Sequence, residues 1–465
     1  MNTTPEDWER LEIAKHETEI AGIPPGPFTL DDCHAVFRKW LGADYDTDAL
    51  DAVLAAAAVE RLDGDPVWLL VISGSGNAKT ETVVPLAGIG AHMVSTIASE
   101  GALLSATSKR EQAADATGGL LRKIGARGIL VIKDVTSILS MSGDQRASVL
   151  GALREVYDGS WARNVGTDGG QTLEWEGRLV VIGAVTTAWD KAHSVISAMG
   201  DRFVLVRMDS TKGRQAAGRQ AIGNTGNEVL MRSQLAAAAT RILAGLNLDK
   251  VQVTDHETDV LLAAADVVTL ARTAVERDYR GDVVDAHAPE MPTRFAKQLT
   301  QIVRGSMALG MDRDHALRLA IRCARDSMPP IRLRIIDDVS ANPYTPTKDV
   351  RKRLGLPRAT VDRELQALNM LGVLEVDELT STNPVNSRET TIWHYTLADH
   401  IDPGALNYEK SVPEIAVPTQ PLVKGSETLG APTAESGTVS ELGCPLHRVP
   451  RPDACFTCDG LRNAA

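Results

Sequence analysis

One short stretch, residues 67–85, constrains most strongly what this chain can fold into: VWLLVISGSGNAKTETVVP. Its apolar run predicts a strand that is buried on both faces, as in a parallel sheet. The run ends in a glycine-containing turn, and Lys79 and Thr80 then begin a predicted helix. Glycines allow backbone N–H groups to approach phosphate oxygens, and a helix N-terminus favours an anion. The stretch therefore predicts a phosphate-binding loop, with Lys79 on the β- and γ-phosphates of a nucleotide and Thr80 on Mg²⁺.

The loop departs from the pattern G-x-x-x-x-G-K-[ST], because Ser73 and Ala78 stand where that pattern has glycine. The alternative interpretation is a glycine/serine turn followed by a surface lysine. The order of strand, turn, Lys-Thr and helix favours nucleotide binding. The predicted nucleotide-binding residues of the loop are Gly74, Ser75, Gly76, Asn77, Ala78, Lys79, Thr80 and Glu81.

Length and charge limit the remaining possibilities. A chain of 465 residues is long enough for two or three domains with real cores. No apolar run approaches the length of a membrane span and the N-terminus lacks a signal-peptide core, so we expect a cytoplasmic protein without membrane contact. The net charge of -12 means that any contact with DNA must come from a local basic patch.

A second apolar run, residues 129–132, leads to Asp134. Ligands of open α/β sheets bind at the carboxyl ends of the strands, so Asp134 is predicted to hold Mg²⁺ through water, the Walker B role. The alternative is an aspartate that caps the next turn. Val135 stands where a hydrolytic Walker B motif usually has glutamate, so either hydrolysis is slow or the base comes from elsewhere. The candidate bases are Glu81, Glu111 and Glu155.

Three further features follow in order along the chain. Turn residues 167–170 between short alternating runs predict a hairpin, with Trp161, Arg163 and Arg178 at its base, that is inserted before the next buried strand. Thr186 or Thr187, at the end of that strand, is predicted to contact the γ-phosphate. Arg202 then precedes a last strand. Its position alone is compatible with a surface salt bridge, which is the alternative to a catalytic role for this arginine.

The order of these motifs resembles that of AAA+ ATPases over roughly residues 61–305. The Ala-Lys-Thr ending of the loop and the GDRF segment are similar to the branch of the minichromosome-maintenance helicases, where alanine precedes the loop lysine and Ser-Arg-Phe carries the arginine finger. The chain also resembles ATPases encoded by phages and mobile elements of actinobacteria. The resemblance implies ATP and Mg²⁺ as ligands, a homo-oligomer such as a hexameric ring, and Arg202 acting on the γ-phosphate of a neighbouring subunit.

Residues 214–330 show helical spacing of apolar residues, and the resemblance assigns them to the AAA+ lid. Arg294 lies in the first turn of a helix that begins near Pro292. The resemblance makes Arg294 the sensor-2 arginine, which contacts the nucleotide. An exposed arginine on an amphipathic helix is the alternative.

Residues 331–398 predict three helices and two strands in the order of a winged helix. Basic and polar residues occupy the turn and the start of the third helix, where contacts to DNA phosphates and bases are made. A winged helix that binds protein is the alternative. The predicted DNA-binding residues are Lys348, Arg351, Lys352, Arg353, Arg358, Thr360 and Arg363.

The C-terminal residues contain two short pairs of metal-ligand side chains, seven residues apart. Four soft ligands with this spacing can hold a structural Zn²⁺ tetrahedrally, and chance cysteines in a frayed tail are the alternative. The predicted zinc ligands are Cys444, His447, Cys455 and Cys458.

The sequence thus predicts an α/β protein with a P-loop sheet domain, a helical lid, a winged helix and a zinc-binding tail. The predicted segments are a helical N-terminal segment at 1–60, the AAA+ domain at 61–213, the lid at 214–330, the winged helix at 331–400, a disordered linker at 401–440 and the tail at 441–465. The predicted function is a DNA-acting ATPase, either a helicase or a helicase loader, in which Lys79, Asp134 and Arg202 are catalytic. A nucleotide-switched DNA-binding regulator with little hydrolysis and a protein-remodelling ATPase are the alternatives.

Overall fold

A computed structural model describes residues 27–106, 118–166, 169–192, 202–249, 251–382 and 389–407. The helices are α1 Leu30–Leu41, α2 Thr47–Ala58, α3 Lys79–Val83, α4 Glu100–Leu103, α5 Leu120–Ile124, α6 Thr136–Leu139, α7 Gly143–Tyr157, α8 Arg214–Gly223, α9 Glu228–Ala244, α10 Asp255–Ala271, α11 Thr293–Ala308, α12 Arg313–Asp326, α13 Pro330–Ala341, α14 Thr347–Leu354 and α15 Arg358–Met370. The strands are β1 Trp68–Ser73, β2 His92–Val94, β3 Arg127–Ile132, β4 Ser160–Val165, β5 Gln171–Glu176, β6 Arg178–Thr186, β7 Val204–Arg207, β8 Val275–Arg277, β9 Val283–Ala286, β10 Thr345–Pro346, β11 Leu374–Thr382 and β12 Glu389–Leu397.

A five-stranded parallel sheet forms the centre of the fold, in the order β2-β3-β6-β1-β7. Trp68 at the start of β1 pairs with Val181, and Ser73 at its end pairs with Thr186. Because all five strands run in the same direction, their carboxyl ends share one edge, called here the carboxyl edge, and their starts share the opposite amino edge. The sheet confirms the predicted α/β class.

β1 is buried along its whole length, and its side chains alternate between two cores. Leu69 and Val71 pack with the helices on one face, whereas Trp68, Leu70 and Ile72 belong to the core on the other face. Helices therefore cover both faces of the sheet, as a parallel sheet requires.

The N-terminal helices belong to the main core. Nearly all of α2 is buried, and its residues pack in the same cluster as β1 and α11. Gly305 of α11 faces the backbone of α2, so closely that a Cβ at this position would lie 2.3 Å from the carbonyl oxygen of Ala55. The segment predicted as a preface to the nucleotide domain thus packs directly against that domain.

The segment after residue 330 contains the predicted series of elements. Helices α13, α14 and α15 are followed by the antiparallel pair β11–β12, and the short strand β10 joins this pair in the order β10-β12-β11. Val350, Val361, Leu365 and Tyr395 are buried where the helices pack against the strands. The three-helix unit and its hairpin therefore share one apolar core.

Among the described residues, no helix is both long enough and apolar enough to cross a membrane.

The contact of Gly305 with Ala55 predicts a stability effect. Gly305→Ala should lower the free energy of unfolding by about 1–3 kcal/mol, because a methyl group would overpack the interface between α2 and α11. Gly151→Ala in α7 is the control, since a Cβ there meets no atom within 4 Å. The control should gain about 0.5–1 kcal/mol from helix propensity. Urea unfolding of both variants measures the difference, and a gain for Gly305→Ala would contradict the packing.

Candidate functional site

The phosphate-binding loop predicted from sequence lies at the carboxyl edge. β1 ends at Ser73 and α3 begins at Lys79, so the intervening residues form the turn between strand and helix. Ala78 has φ +53° and ψ +10°, the left-handed conformation, and Gly76 has φ +77°. The loop therefore keeps at Ala78 the backbone geometry that usually requires glycine, at a cost of roughly 1–2 kcal/mol for the alanine.

The Lys79 ammonium group is turned towards the loop. Its Nζ donates to the carbonyl oxygen of Gly74 at 2.6 Å, to that of Ser73 at 3.1 Å and to the Ser73 Oγ at 3.2 Å. Burial lowers the pKa of Lys79, while the charge of Asp134 acts in the opposite direction. The ammonium is thus partly desolvated beside a glycine turn, where an incoming phosphate would bind a cation strongly.

A cavity of about 750 Å³ opens beside the loop. Its walls are residues 76–81 of the loop and α3, residues 40–46 between α1 and α2, residues 207–217, and parts of α8 and α9. A volume in this range suits a small molecule of nucleotide size. Residues 40–46 form no motif in the sequence, by type or by spacing, so their place at the cavity is visible only in the structure.

Asp134 and Thr186 also lie at the carboxyl edge. Thr136 links them: its backbone N–H donates to the Asp134 Oδ1 at 3.0 Å, and its Oγ1 lies 3.3 Å from the Thr186 Oγ1. Asp134 is exposed and interacts electrostatically with Lys79. One oxygen of Asp134 thus caps the next turn, the alternative role considered above. Thr187 is exposed after the strand end, and Thr80 is exposed in the first turn of α3.

The donor set at this edge fits a magnesium ion. The Thr80 hydroxyl and the Asp134 carboxylate are oxygen ligands, which Mg²⁺ prefers, and both residues are exposed. Lys79, Thr80, Asp134 and Thr186 thus lie at the same edge of the sheet, and the charge of Asp134 acts on Lys79. Asp134 and Thr186 lie outside the lining of the cavity itself.

In the described part of the chain, none of the candidate bases is a free carboxylate beside the loop. Val135 is 4% exposed and points into the core against Gly183. Glu81 is paired with Arg232 at 3.0 Å. Glu155 lies near the end of α7, which leads to the amino edge, and Glu111 lies outside the described residues.

Arginines that belong to no sequence motif also line the cavity. Arg322 is bound to Asp46 by two hydrogen bonds and lies 3.3 Å from Asp48; burial opposes its charge, but these carboxylates raise its pKa. Arg207 forms a bidentate ion pair with Asp190, with hydrogen bonds of 2.7 and 3.0 Å. These pairs fix the walls of the cavity, and sequence spacing gave no sign of them because the partners are far apart along the chain.

Three potential metal ligands cluster behind this wall: Asp48, Asp51 and His315. Asp51 is fully buried and bonded to His34 Nε2 at 2.6 Å, and burial raises its pKa. Because Arg322 and His34 already engage these carboxylates, the cluster serves as a charge network that joins α1, α2 and α12.

The two predicted arginines of the AAA+ pattern lie at the amino edge. The Arg202 side chain is 11% exposed, with Nη2 3.4 Å from the Asp158 Oδ2, and its carbonyl oxygen accepts a hydrogen bond from Gln298. Burial and the nearby charge of Arg294 lower the pKa of Arg202. Arg294 is itself paired with Glu290 at 3.3 Å. The structure thus brings Arg202 and Arg294 together and does not bring either to the loop of the same chain.

The predicted hairpin is present as the antiparallel pair β4–β5, with Trp161 opposite Trp175. Arg163 is held by Glu100 at 2.7 Å, and Arg178 donates to the carbonyl oxygens of Gly64 and Val59. Both arginines therefore anchor the base of the hairpin to the domain.

The predicted DNA-binding residues lie on α14 and α15. Four of them are exposed and form no ion pair with another described residue: Lys348, Arg351, Lys352 and Arg358. Arg353 makes two hydrogen bonds of 2.7 Å to Asp338, which raise its pKa. Arg363 is paired with Asp282 at 3.2 Å, and Thr360 is half-buried. The predicted zinc ligands Cys444, His447, Cys455 and Cys458 lie outside the described residues.

Comparisons with known proteins do not identify the chain. No family model matches it, and no curated protein matches it. Solved structures that match include one titled "The A form apo structure of NrS-1 C terminal region-CTR", with 12% identity over 86% of this chain and 79% of that chain. Its TM-score of 0.26 is too low to establish a common fold.

The backbone of the loop generates a paired prediction. Ala78→Gly should raise the free energy of unfolding by about 1 kcal/mol, because glycine adopts the left-handed conformation without the Cβ clash. Gly76→Ala should lower the free energy of unfolding by a similar amount, because φ is also positive there. A Cβ at Gly76 would meet nothing within 4 Å, so the loss would come from the backbone conformation alone. Denaturant unfolding compares the two, and a loss of stability for Ala78→Gly would contradict this geometry.

Proposed function

We propose that this chain is an AAA+-type P-loop ATPase that acts on DNA. The observation that carries the proposal is the loop between β1 and α3: a left-handed backbone at Ala78, a partly desolvated Lys79 and a cavity of about 750 Å³ beside them. The five parallel strands with helices on both faces support it, because they place Asp134 and Thr186 at the same edge as the loop.

ATP would bind with its phosphates over residues 74–80. Lys79 would leave the loop carbonyls for the β- and γ-phosphates, and the first-turn N–H groups of α3 would face them. Bound Mg²⁺ would neutralise phosphate charge, with Thr80 and Asp134 as its protein ligands. Thr186 would contact the γ-phosphate. Residues 40–46 and 207–217 would enclose the rest of the nucleotide.

A ring of copies would give Arg202 a role that it cannot have within one chain. Arg202 lies at the amino edge, away from its own loop, so only a neighbouring subunit's nucleotide could come within its reach. Its pairing with Asp158 would have to open for that contact. Arg294, beside it, would act on the same neighbouring site.

The DNA-binding part of the proposal rests on residues 331–398. Their helix order and antiparallel hairpin fit a winged helix, with α15 as the recognition helix. Four exposed basic side chains without ion pairs to described residues form a local patch on an acidic chain. Phosphate contacts from such a patch would position the duplex, and Thr360 and Arg363 would face the bases. In this scheme Zn²⁺ bound by Cys444, His447, Cys455 and Cys458 would fold the tail.

One observation favours a second candidate function, a nucleotide-switched DNA-binding regulator. Val135 is buried where a hydrolytic motif usually has glutamate, and Glu81 is engaged by Arg232. A site without a base to orient water hydrolyses slowly, and slow hydrolysis suits a switch better than a motor.

Steady-state ATPase activity, with and without DNA, tests the nucleotide site. Lys79→Ala should reduce turnover at least tenfold, because a cation that contacts transferred phosphate in the transition state is lost. Lys297→Ala at the amino edge is the control and should retain wild-type turnover, since its exposed ammonium contacts Asp65. Equal turnover in Lys79→Ala and wild type would overturn the ATPase proposal. Nucleotide binding without measurable turnover in the wild type would favour the switch.

Salt-dependent DNA binding tests the basic patch. Arg358→Ala and Lys348→Ala should each weaken duplex binding uniformly across sequences and reduce the slope of log affinity against log salt by about 1. Arg61→Ala, an exposed arginine after α2, should change neither. Fluorescence anisotropy at several salt concentrations provides the slopes. An unchanged slope in both patch variants would contradict this DNA interface, and undetectable wild-type binding at low salt would favour the protein-remodelling alternative.

A further inference from the structure

A small acidic hairpin lies against the proposed recognition helix. It consists of β8 and β9, which follow α10, and carries Glu276, Asp278, Asp282 and Asp285. Its turn is tightly built: the Asp278 side chain accepts hydrogen bonds from the backbone N–H groups of Arg280 and Asp282, and Gly281 has φ +84°. The turn, residues 278–282, is thus ordered and carries two carboxylates against the one cation of Arg280, so its net charge is negative.

That turn is bound to Arg363 of α15. The Arg363 Nε lies 3.2 Å from the Asp282 Oδ1, and its Nη2 donates to the carbonyl oxygen of Arg280. A Cβ at Gly281 would lie 3.1 Å from the guanidinium carbon of Arg363, so the backbone of the turn is packed against the guanidinium group. A carboxylate and a carbonyl oxygen therefore occupy the positions that phosphate or base acceptors would take.

The base of the hairpin is held at the next residue of the same helix. Glu364 accepts from Arg277 of β8 at 2.7 Å and from Arg332 of α13 at 2.9 Å. Arg332 is 5% exposed and also donates to the carbonyl oxygens of Ala271 and Thr273, which lead into β8. The hairpin is thus tied to α15 at a buried base and at an exposed tip.

The two attachments differ in strength. At the tip, Arg363 and Asp282 are 36% and 58% exposed, so their ion pair is weak and easily exchanged for another anion. At the base, Arg332 is buried and donates to Glu364 and to two carbonyl oxygens, so the base of the hairpin is held more firmly than its tip. This arrangement allows the tip to move away from α15 while the core of the domain is retained.

We propose that the tip of the β8–β9 hairpin competes in cis with DNA for Arg363, and that DNA must displace Asp282 to reach the recognition helix. The inference rests on the proposed DNA-binding function and specifies its regulation. It makes the free chain a weaker DNA binder than its basic patch alone would be, because part of the binding surface is already filled by the chain's own carboxylate.

The test compares two variants with the same change of charge. Asp282→Lys replaces the partner of Arg363 with a repelling cation, whereas Asp285→Lys alters the same hairpin at an exposed residue whose carboxylate accepts from the N–H of Ala286. In the full chain, Asp282→Lys should bind a short DNA duplex at least threefold more tightly than Asp285→Lys does. Their thermal unfolding midpoints should agree, because both changes lie on the surface.

A second pair of proteins tests whether Arg363 is the group released. In an Arg363→Ala background, Asp282→Lys and Asp285→Lys should have the same affinity for the duplex. If the two lysine variants bind the duplex equally well in the chain that keeps Arg363, and binding still depends on Lys348 and Arg358, the hairpin inference is overturned and the DNA interface remains intact. Absence of binding by the wild type and by both lysine variants at low salt would overturn the proposed DNA function, and the inference with it.

Discussion

The structure depends on β1 being buried on both faces of a parallel sheet. Its backbone is paired on each side, with β6 and with β7, and the chain leaves it at the carboxyl edge. Leaving there in the space of residues 74–78 requires a sharp turn, and Ala78 takes the strained backbone that this turn demands. The same turn aims the start of α3 and Lys79 at the edge where Asp134 and Thr186 end their own strands. The position of the buried strand therefore accounts for the strained backbone at Ala78 and for the place of Lys79 at the carboxyl edge.

Charge is arranged differently at the two edges of the sheet. At the carboxyl edge, Lys79 is partly desolvated, donates to backbone oxygens of the loop and lines the cavity. At the amino edge, Arg202 and Arg294 are held by carboxylates on the surface opposite the cavity. Under the proposed function, Lys79 would contact phosphate within one chain, and Arg202 and Arg294 would act on the site of a neighbouring copy. This division of charge connects the proposed oligomer to the proposed chemistry.

The helices, strands and turns that the sequence predicted correctly are those that depend on local sequence patterns. The apolar run of β1 and the Lys-Thr pair defined the loop, and the turn residues at 167–170 predicted the β4–β5 hairpin. The helices and strands of residues 331–398 also follow from local spacing. Each of these features depends on neighbours within a few residues, so one sequence contains enough information to find them.

The parts that the sequence missed depend on contacts between distant segments. Residues 40–46 carry no motif, yet they form a wall of the cavity, where Asn224 donates to the carbonyl oxygen of Trp40 and Tyr45 bonds to Thr82. The pairing of Arg322 with Asp46 spans 276 residues, and that of Arg363 with Asp282 spans 81. Spacing along the chain cannot reveal such pairs. The basic residues predicted to bind DNA therefore divide into two groups. Arg353 and Arg363 are paired with the chain's own carboxylates, whereas the other four form no ion pair with a described residue.

Calorimetric titration with Mg-ATP, beside the same titration with adenosine, tests the central claim most directly. If Lys79 and the first turn of α3 bind phosphate, one ATP should bind per chain, and adenosine should bind at least tenfold more weakly because it lacks those contacts. Equal affinity for the two compounds, or no binding of ATP, would contradict the assignment of this loop as a nucleotide site.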